Sequence, residues 1–381
     1  MNQFSNKKIL NAKFVTRNLL LQPISRKKLP ATSYKLQANL VVILGPTGSG
    51  KTDLAIKLAK EFNGEIVCAD ARQVYKEMIV GTASPASIAT RASSLAKRCG
   101  RAQLQRCGNF GQAKRVAGGN NDGKFKIKEI RKPLIIDKIP HHLFNIIEPN
   151  QEFNVAIYKK LAVKTIKDIQ KRGEIPFLVG GTGLYIQAVV DNINFPIVAP
   201  QLKLREKLER KSLKELFEIY QKLDFNGAKF IDKKNKRRLV RAIEVCKITG
   251  NPFSQQLEKG KSLFNVLQIG LSLPKQELEK RIRKRTAKMM QMGLEKEAEN
   301  LIKKYGVAIS AMKTIGYQEA QDYFEKKISK KEFQELIILH TVQFTKRQMT
   351  WFKKDKKIVW VKNKKQAEKL IKIFLFSPRF A

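Results

Sequence analysis

The segment GPTGSGKT at residues 45–52 has the residue types and the spacing of a phosphate-binding loop. It satisfies the pattern G-x-x-x-x-G-K-[ST] and lies between a short apolar run and a helix-forming stretch. In such a loop the glycines let backbone N–H groups surround phosphate oxygens, the lysine adds a positive charge, and the last hydroxyl can ligate Mg²⁺. The predicted loop comprises Gly45, Pro46, Thr47, Gly48, Ser49, Gly50, Lys51 and Thr52, with Thr52 as the protein ligand of a Mg²⁺ cofactor.

Asp70 is the residue best placed for acid–base chemistry near this loop, because the apolar run at residues 64–69 ends at it. A P-loop ATPase is expected to carry another carboxylate at the end of a further strand. The apolar run at residues 175–179 ends instead in GGTG, which has a hydroxyl but no carboxylate. A helix N-cap or a carboxylate near the metal is the alternative interpretation of Asp70.

Two basic segments contain arginines four residues apart, a spacing that places them on one helical face where they can grip a phosphate chain together. The pairs are Arg237 with Arg241, next to Arg238, and Arg281 with Arg285. The alternative is a charged helical face that only meets solvent.

Two further motifs carry weaker signals. The segment TKRQMTWFKK at residues 345–354 mixes basic residues with Trp351 and Phe352, a combination that suits stacking on unpaired RNA bases. The adjacent His141 and His142 suggest a metal site, but neighbours in an extended segment point in opposite directions and no third ligand has a suitable spacing. We therefore predict packing or hydrogen bonding for both histidines.

Apolar runs that alternate with helical patterns predict an α/β fold, with a P-loop NTPase-like parallel sheet flanked by helices and a helical insertion domain. Strands are expected at residues 39–44, 64–69, 175–179 and 265–273, and helices at 53–62, 156–171 and, with breaks, over 203–258 and 276–352. The predicted segments are a basic extension (1–38), the first part of the core (39–199), the helical insertion (200–263) and the second part of the core (264–381). Residues 86–121 contain no acids and many small residues, and they are interpreted as a disordered basic insertion.

The charge of the chain is its most unusual bulk property. The 76 Lys and Arg residues against 33 Asp and Glu give a formal net charge of +43. This imbalance indicates a polyanionic partner, and nucleic acid fits better than lipid because no basic stripe lies opposite a long apolar helical face. The sequence has no apolar run long enough to span a membrane, and its four cysteines show neither a disulfide pattern nor a metal spacing. Residues 1–38, which lack acids, are typical of either an organellar transit peptide or a disordered tail.

Eight segments, taken in order, resemble the tRNA dimethylallyltransferase (isopentenyltransferase) family. They are GPTGSGKT, DARQVYKEMIVGTASP, PHHLFNI, LVGGTGLYIQA, KRRLVRAIEVCKITGNP, IGLSLP, MKTIGYQEA and KRQMTWFKKD. The resemblance implies transfer of a dimethylallyl group from dimethylallyl diphosphate to N6 of the adenosine 3′-adjacent to the anticodon, at tRNA position 37. The products would be N6-isopentenyladenosine and pyrophosphate, and the partners would be tRNA and dimethylallyl diphosphate.

The same resemblance implies roles for individual residues. Lys51, Thr52 and Mg²⁺ would act on the leaving diphosphate, Arg285 would assist the pyrophosphate, and Asp70 would deprotonate the attacking amine. The positions that would contact tRNA are Asp70, Ala71, Arg72, Gln73, Thr182, Arg205, Arg237, Arg238, Arg241, Lys313, Gly316, Tyr317, Lys346, Arg347, Gln348, Thr350 and Trp351. Ala71 stands where the family usually has serine, so one hydroxyl contact to tRNA is missing.

Three other functions stay open on the sequence: an adenylate isopentenyltransferase acting on free nucleotides, a P-loop small-molecule kinase or ATPase, and an RNA-binding protein without transferase activity. The basic segments from Arg237 onward disfavour the first, and the lack of a clear water-activating residue disfavours the second. We expect a monomer that is not associated with membranes. Some eukaryotic relatives carry a C-terminal C₂H₂ zinc finger, and its absence here favours a bacterial or organellar type. The expected location is the cytoplasm, as for a bacterial-type enzyme, or a mitochondrion or plastid if residues 1–38 are a transit peptide.

Overall fold

A largely parallel sheet brings the predicted motifs to one edge. The structure, a computed structural model, describes residues 39–85, 132–196, 198–256 and 258–376. Within these ranges the strands are β1 (Asn39–Leu44), β2 (Gly64–Cys68), β3 (Leu134–Ile136), β4 (Ile139–His142), β5 (Ile175–Gly180), β6 (Asn265–Leu271) and β7 (Val359–Val361). Their order in the sheet is β3-β4-β2-β5-β1-β6-β7, and all neighbours are parallel except β3 and β4.

Strand β1 lies in the interior of this sheet and leads directly into the phosphate loop. Its sequence NLVVIL is buried from Leu40 onward, as a strand covered by helices on both faces requires. Leu44, its last residue, is in register with Gly180 on one side and Gly270 on the other. The loop therefore begins from a strand that is held on both edges.

Helices cover the sheet and extend the chain beyond it. In the described residues they are α1 (Lys51–Glu61), α2 (Val155–Lys171), α3 (Gly183–Val190), α4 (Leu202–Glu209), α5 (Leu213–Leu223), α6 (Phe225–Ala228), α7 (Lys236–Thr249), α8 (Lys275–Gln291), α9 (Leu294–Tyr305), α10 (Gln318–Phe324), α11 (Lys330–Phe352) and α12 (Lys364–Phe376). Short 3₁₀ turns occur at Phe253–Gln255 and Ser310–Lys313. Helix α11 begins with a capping box between Ser329 and Glu332.

Helices α4 to α7, which lie between β5 and β6, form an apolar cluster of their own. Leu216 and Tyr220 of α5 pack with Leu239 and Ile243 of α7, apart from the main core around the sheet. Along the chain, this helical insertion stands between two parts of the sheet core, which is the order expected from the sequence. The predicted domain boundaries stay predictions.

The predicted α/β fold is confirmed, and its elements differ from expectation mainly at their ends. Helix α1 begins two residues earlier than predicted, and β6 ends at Leu271 rather than at residue 273. The β3–β4 hairpin was not predicted, because both strands are short and β4 contains a proline and two histidines. The expectations for residues 1–38 and 86–121 lie outside the described residues. No helix in the described part of the chain is long and apolar enough to cross a membrane.

Candidate active site

A cavity of about 560 Å³ opens beside the carboxyl ends of β1, β2 and β5. In open parallel sheets this edge is where ligands bind, because loops from successive strands meet there. Its walls come from several segments that are distant in sequence. They include Thr47 of the phosphate loop, Asp70 and Thr182 from the turns after β2 and β5, Arg285 of α8, and Arg347 and Trp351 of α11.

The phosphate loop has an unsatisfied interior suited to an anion. Glycines Gly48 and Gly50 adopt φ values of +83° and +86°, which L side chains rarely tolerate. The hydroxyl of Ser49 is buried and, among the described residues, has no hydrogen-bond partner. A bound phosphate oxygen would supply that partner.

Lys51 is partly buried at the start of α1, and its ammonium donates a hydrogen bond to the carbonyl of Pro46 at 3.3 Å. Removal from solvent lowers the pKa of Lys51 from 10.5 to about 8; nearby Asp70 opposes this shift, and Arg285 reinforces it. An anionic ligand beside it would favour the charged form of the lysine.

Arg285 of α8 supplies a second cation and lines the cavity. Its guanidinium donates to the carbonyl of Thr82 at 3.0 Å. Burial lowers the pKa of Arg285, and Asp70 raises it, so Asp70 lies close enough to influence both cations. Two desolvated cations and one carboxylate therefore lie close enough to influence one another electrostatically.

Asp70 is held by the turn that follows β2. Its Oδ1 accepts the N–H of Arg72 at 2.9 Å, and the N–H of Ala71 donates to the hydroxyl of Thr182 at 2.9 Å. Thr182 also donates its own N–H to the carbonyl of Ala69 at 3.1 Å. The turns after β2 and β5 are thus joined, and this fixes the carboxylate at the cavity wall.

The GGTG turn after β5 allows two close approaches that larger residues would block. A Cβ on Gly180 would overlap the carbonyl of Ala69, and a Cβ on Gly183 would overlap the indole of Trp351. The amide of Gln348 donates to the carbonyl of Gly181 at 2.8 Å and accepts the N–H of Thr47 at 2.9 Å. Helix α11 therefore connects the glycine turn to the phosphate loop.

Several residues expected to contact tRNA gather at this cavity. Its lining includes Asp70, Ala71, Arg72, Thr182, Lys313, Arg347, Gln348 and Trp351. Lys346 and Thr350 are exposed on the same helix as Trp351. Gln73 is not among the lining residues, and its amide donates to the carbonyls of Thr82 and Ala83.

Two of the expected contacts need correction. The ring of Tyr317 is only 1% exposed and its hydroxyl donates to Glu297, so Tyr317 belongs to the core and its side chain does not meet tRNA. Gln348 is 5% exposed and uses its amide for the bridge to the phosphate loop. Gly316, with φ of +100°, provides the turn before α10.

The idea that arginines four apart grip phosphate together also needs correction. Arg205 and Arg241 both bind Glu244, whose carboxylate is completely buried, at 2.8 and 2.6 Å. Arg281 pairs with Glu277 at 2.6 Å, whereas Arg285 turns into the cavity. Arg237 and Arg238 are exposed and remain available to a polyanion.

The histidines behave as predicted, since His141 hydrogen bonds to the carbonyl of Ile139 and His142 to Glu65. In the described ranges no three His, Cys, Asp or Glu residues cluster as a metal site would require. A Mg²⁺ ion fits only as one held by the Thr52 hydroxyl together with substrate phosphates, which is a common arrangement for this ion.

Sequence reasoning missed the apolar wall of the cavity. It also missed Glu297, whose carboxylate accepts backbone N–H groups of the turn at residues 79–81, just before Thr82. Ile282 and Met289 of α8, with Ile337 and Phe344 of α11, line the cavity. The spacing of Ile282, Thr286 and Met289 around Arg285 is a signal that one face of α8 serves the site. Glu297 lies on α9 outside the matched motifs, and no sequence signal marks it.

The sheet, the loop and the two cations define a P-loop-type protein whose site is suited to a phosphorylated ligand. A family model described as IPP transferase matches residues 131–355, and one described as isopentenyl transferase matches residues 38–94. The chain belongs to the IPP transferase family.

Individual relatives agree. The chain is 36% identical over 325 residues to a tRNA dimethylallyltransferase of Crocosphaera subtropica, with 85% of this chain and 92% of the relative covered. It resembles the crystal structure of a tRNA isopentenylpyrophosphate transferase from Bacillus halodurans at a TM-score of 0.58 and 29% identity, covering 89% of this chain and 97% of that one. A eukaryotic dimethylallyltransferase acting on tRNA shares the fold at a TM-score of 0.60 and 22% identity, covering 90% of this chain and 77% of that one.

Proposed function

We propose that this chain transfers a dimethylallyl group from dimethylallyl diphosphate to N6 of the adenosine 3′-adjacent to the anticodon of tRNA. The observation that carries the proposal is that Asp70 and Arg285 line one cavity and that Lys51 of the phosphate loop is close enough to interact electrostatically with both. That cavity lies between a phosphate loop and the exposed basic and aromatic residues of α11.

The leaving diphosphate is assigned to the phosphate loop. As the bond between the allylic carbon and the diphosphate oxygen breaks, negative charge grows on the diphosphate. Backbone N–H groups of the loop, Lys51 and Arg285 stabilise that charge in a site with little water, where each interaction is stronger than in solution. When bound, Mg²⁺ held by Thr52 and the diphosphate adds Lewis-acid stabilisation of the same group.

Asp70 is assigned to the attacking amine. The exocyclic amine of adenine is a poor nucleophile, so a carboxylate that hydrogen bonds to N6 both orients it and accepts its proton as the carbon–nitrogen bond forms. The apolar side chains of Ile282, Met289 and Phe344 are suited to the prenyl group. The base must leave its stack to enter the cavity, and Trp351, 40% exposed at the entrance, offers a surface for stacking.

The competing functions fit the site less well. A P-loop ATPase is expected to carry a further carboxylate, besides Asp70, at the end of another strand, and β5 ends instead in glycines. A transferase acting on free nucleotides has no use for exposed Arg237 and Arg238 or for a net charge of +43. The monomeric state, the cellular location and the individual contacts to tRNA stay predictions.

The direct test incubates the protein with labelled dimethylallyl diphosphate, Mg²⁺ and unmodified tRNA with an A-rich anticodon loop. Label is expected in tRNA, and the folded protein should not hydrolyse ATP. Asp70→Asn, which keeps the hydrogen bond from Arg72, should lower the transfer rate by about 10²- to 10⁴-fold while tRNA binding stays within about two-fold. Unlabelled tRNA with folded wild-type protein would refute the proposal, and a large loss of tRNA binding in the variant would reassign Asp70 to recognition.

A further inference from the structure

Glu297 binds the backbone of a turn that runs past the cavity. Its carboxylate accepts the N–H of Ile79 at 3.0 Å, that of Val80 at 3.0 and 2.9 Å, and that of Gly81 at 2.9 Å. Hydrogen bonds to an ionised acceptor are stronger than neutral ones, and three consecutive donors leave the turn little freedom. The turn at residues 79–81 is therefore fixed to the first turn of α9.

Tyr317 completes this anchor from the other side. Its hydroxyl donates to Oε1 of Glu297 at 2.7 Å, and its ring packs against the turn. A Cβ on Gly81 would lie 2.5 Å from that ring, so glycine is needed for the turn to come this close. The buried tyrosine thus holds the carboxylate of Glu297 in place beneath the turn.

The same turn determines where Arg285 can lie. Thr82, the next residue, accepts the guanidinium of Arg285 on its carbonyl at 3.0 Å. Gln73 donates to that carbonyl at 3.2 Å. A shift of residues 79–81 would move the Thr82 carbonyl and, with it, the guanidinium that faces the cavity.

We propose that Glu297 is a positioning residue for the transfer reaction, acting through the turn at residues 79–82 to place Arg285 against the diphosphate. The inference rests on the proposed function. Glu297 is not among the residues that line the cavity, so its effect must pass through the turn. A cation preorganised at the correct distance stabilises the transition state without rearrangement, and a displacement of about 1 Å can cost about 10²-fold in rate.

The test compares Glu297→Ala and Glu297→Gln with Glu299→Gln, an exposed change on the same helix where Glu299 pairs with Lys303. Two quantities are measured: kcat/KM for dimethylallyl diphosphate at saturating tRNA, and the affinity for inorganic pyrophosphate by calorimetry. Glu297→Ala should lower kcat/KM by about 10- to 100-fold and weaken pyrophosphate binding, with tRNA affinity unchanged. The losses in Glu297→Gln should be smaller than those in Glu297→Ala, because its amide oxygen can still accept hydrogen bonds. Glu299→Gln should match wild type in both measurements.

A double-mutant cycle with Arg285→Gln separates positioning from general stabilisation. In the Arg285→Gln background, Glu297→Ala should lower kcat/KM and pyrophosphate affinity by less than about two-fold further, because both residues act through the same guanidinium. Equal losses in the two backgrounds, or a Glu297→Ala variant that matches wild type, would overturn the inference. If melting shows that the alanine variant is unfolded at the assay temperature, the cycle with Glu297→Gln is judged by the same criteria. A wild type without transfer activity would count against the proposed function, while the pyrophosphate cycle would still decide the role of Glu297.

Discussion

Gln348 accepts the backbone N–H of Thr47 at 2.9 Å, although the two residues are 301 positions apart in the chain. The other half of the same amide donates to the carbonyl of Gly181 at 2.8 Å. A single buried side chain of α11 thus determines the separation between the phosphate loop and the glycine turn that supports Asp70 through Thr182.

Replacing this amide by a carboxylate tests the bridge. In Gln348→Glu the Thr47 N–H keeps an acceptor, but the Gly181 carbonyl loses its donor and faces a charge. We expect the free energy of unfolding to fall by about 1–3 kcal/mol and KM for dimethylallyl diphosphate to rise. Denaturant unfolding and steady-state kinetics measure these effects. Gln343→Glu, an exposed change on the same helix, should have neither effect. A Gln348→Glu enzyme with wild-type KM would show that the loop does not depend on the bridge.

The lowered pKa of Lys51 predicts a pH dependence of substrate capture. Because burial lowers this pKa to about 8 in the free protein, the lysine is charged below that pH and neutral above it. We expect kcat/KM for dimethylallyl diphosphate, which reports groups of the free enzyme, to fall as pH rises through about 8. In Lys51→Met, kcat/KM should be low, and its decrease near pH 8 should be absent. A wild-type profile that stays flat from pH 7 to 9.5 would contradict this assignment.

The close contact between Gly183 and Trp351 predicts that a larger residue at position 183 destabilises the protein and that removing the indole relieves the clash. In Gly183→Ala the new methyl group overlaps the indole, which must move. Overpacking of this kind costs about 1–3 kcal/mol, so the free energy of unfolding should fall by that amount and tryptophan fluorescence should change. Adding Trp351→Ala should restore most of the lost stability. No recovery in the double variant would show that the strain lies in the backbone of the turn instead.

The arginines of the helical insertion are expected to divide into two groups. Arg241→Ala removes one of the cations bound to the buried Glu244 and should mainly lower the melting temperature. Arg237→Ala should leave stability unchanged but weaken tRNA binding. The slope of log affinity against log salt concentration should become shallower by about one for each lost phosphate contact. Binding titrations at several salt concentrations, together with thermal melts, separate the two outcomes. Equal losses of tRNA affinity in both variants would contradict the division.

Local patterns predicted the parts of the site that are local in sequence. The GPTGSGKT motif and the apolar strand before it predicted the phosphate loop. The end of the next apolar strand predicted Asp70. The pairing of Arg241 with Glu244 could also be predicted from the sequence, because residues three apart on a helix are neighbours. The expectation that these arginines grip phosphate left Glu244 out of account.

The parts that could not be predicted depend on packing between distant segments. Tyr317 lies in a motif that resembles a tRNA-contacting one, but only the approach of Gly81 shows that its ring is buried. Glu297 resembles any acidic residue in the first turn of a helix until the turn above it is seen. Sequence separation conceals such contacts, since periodicity reports which face is buried but not what covers it.

The bridge from α11 to the phosphate loop has a consequence for the order in which the protein is made. A ribosome adding about 5–20 residues per second needs about 15 to 60 seconds to pass from Thr47 to Gln348. During that interval the nascent chain already contains the whole phosphate-loop motif, but Thr47 lacks the acceptor that holds its N–H. The phosphate loop therefore acquires this anchor only late in translation, when α11 has been made.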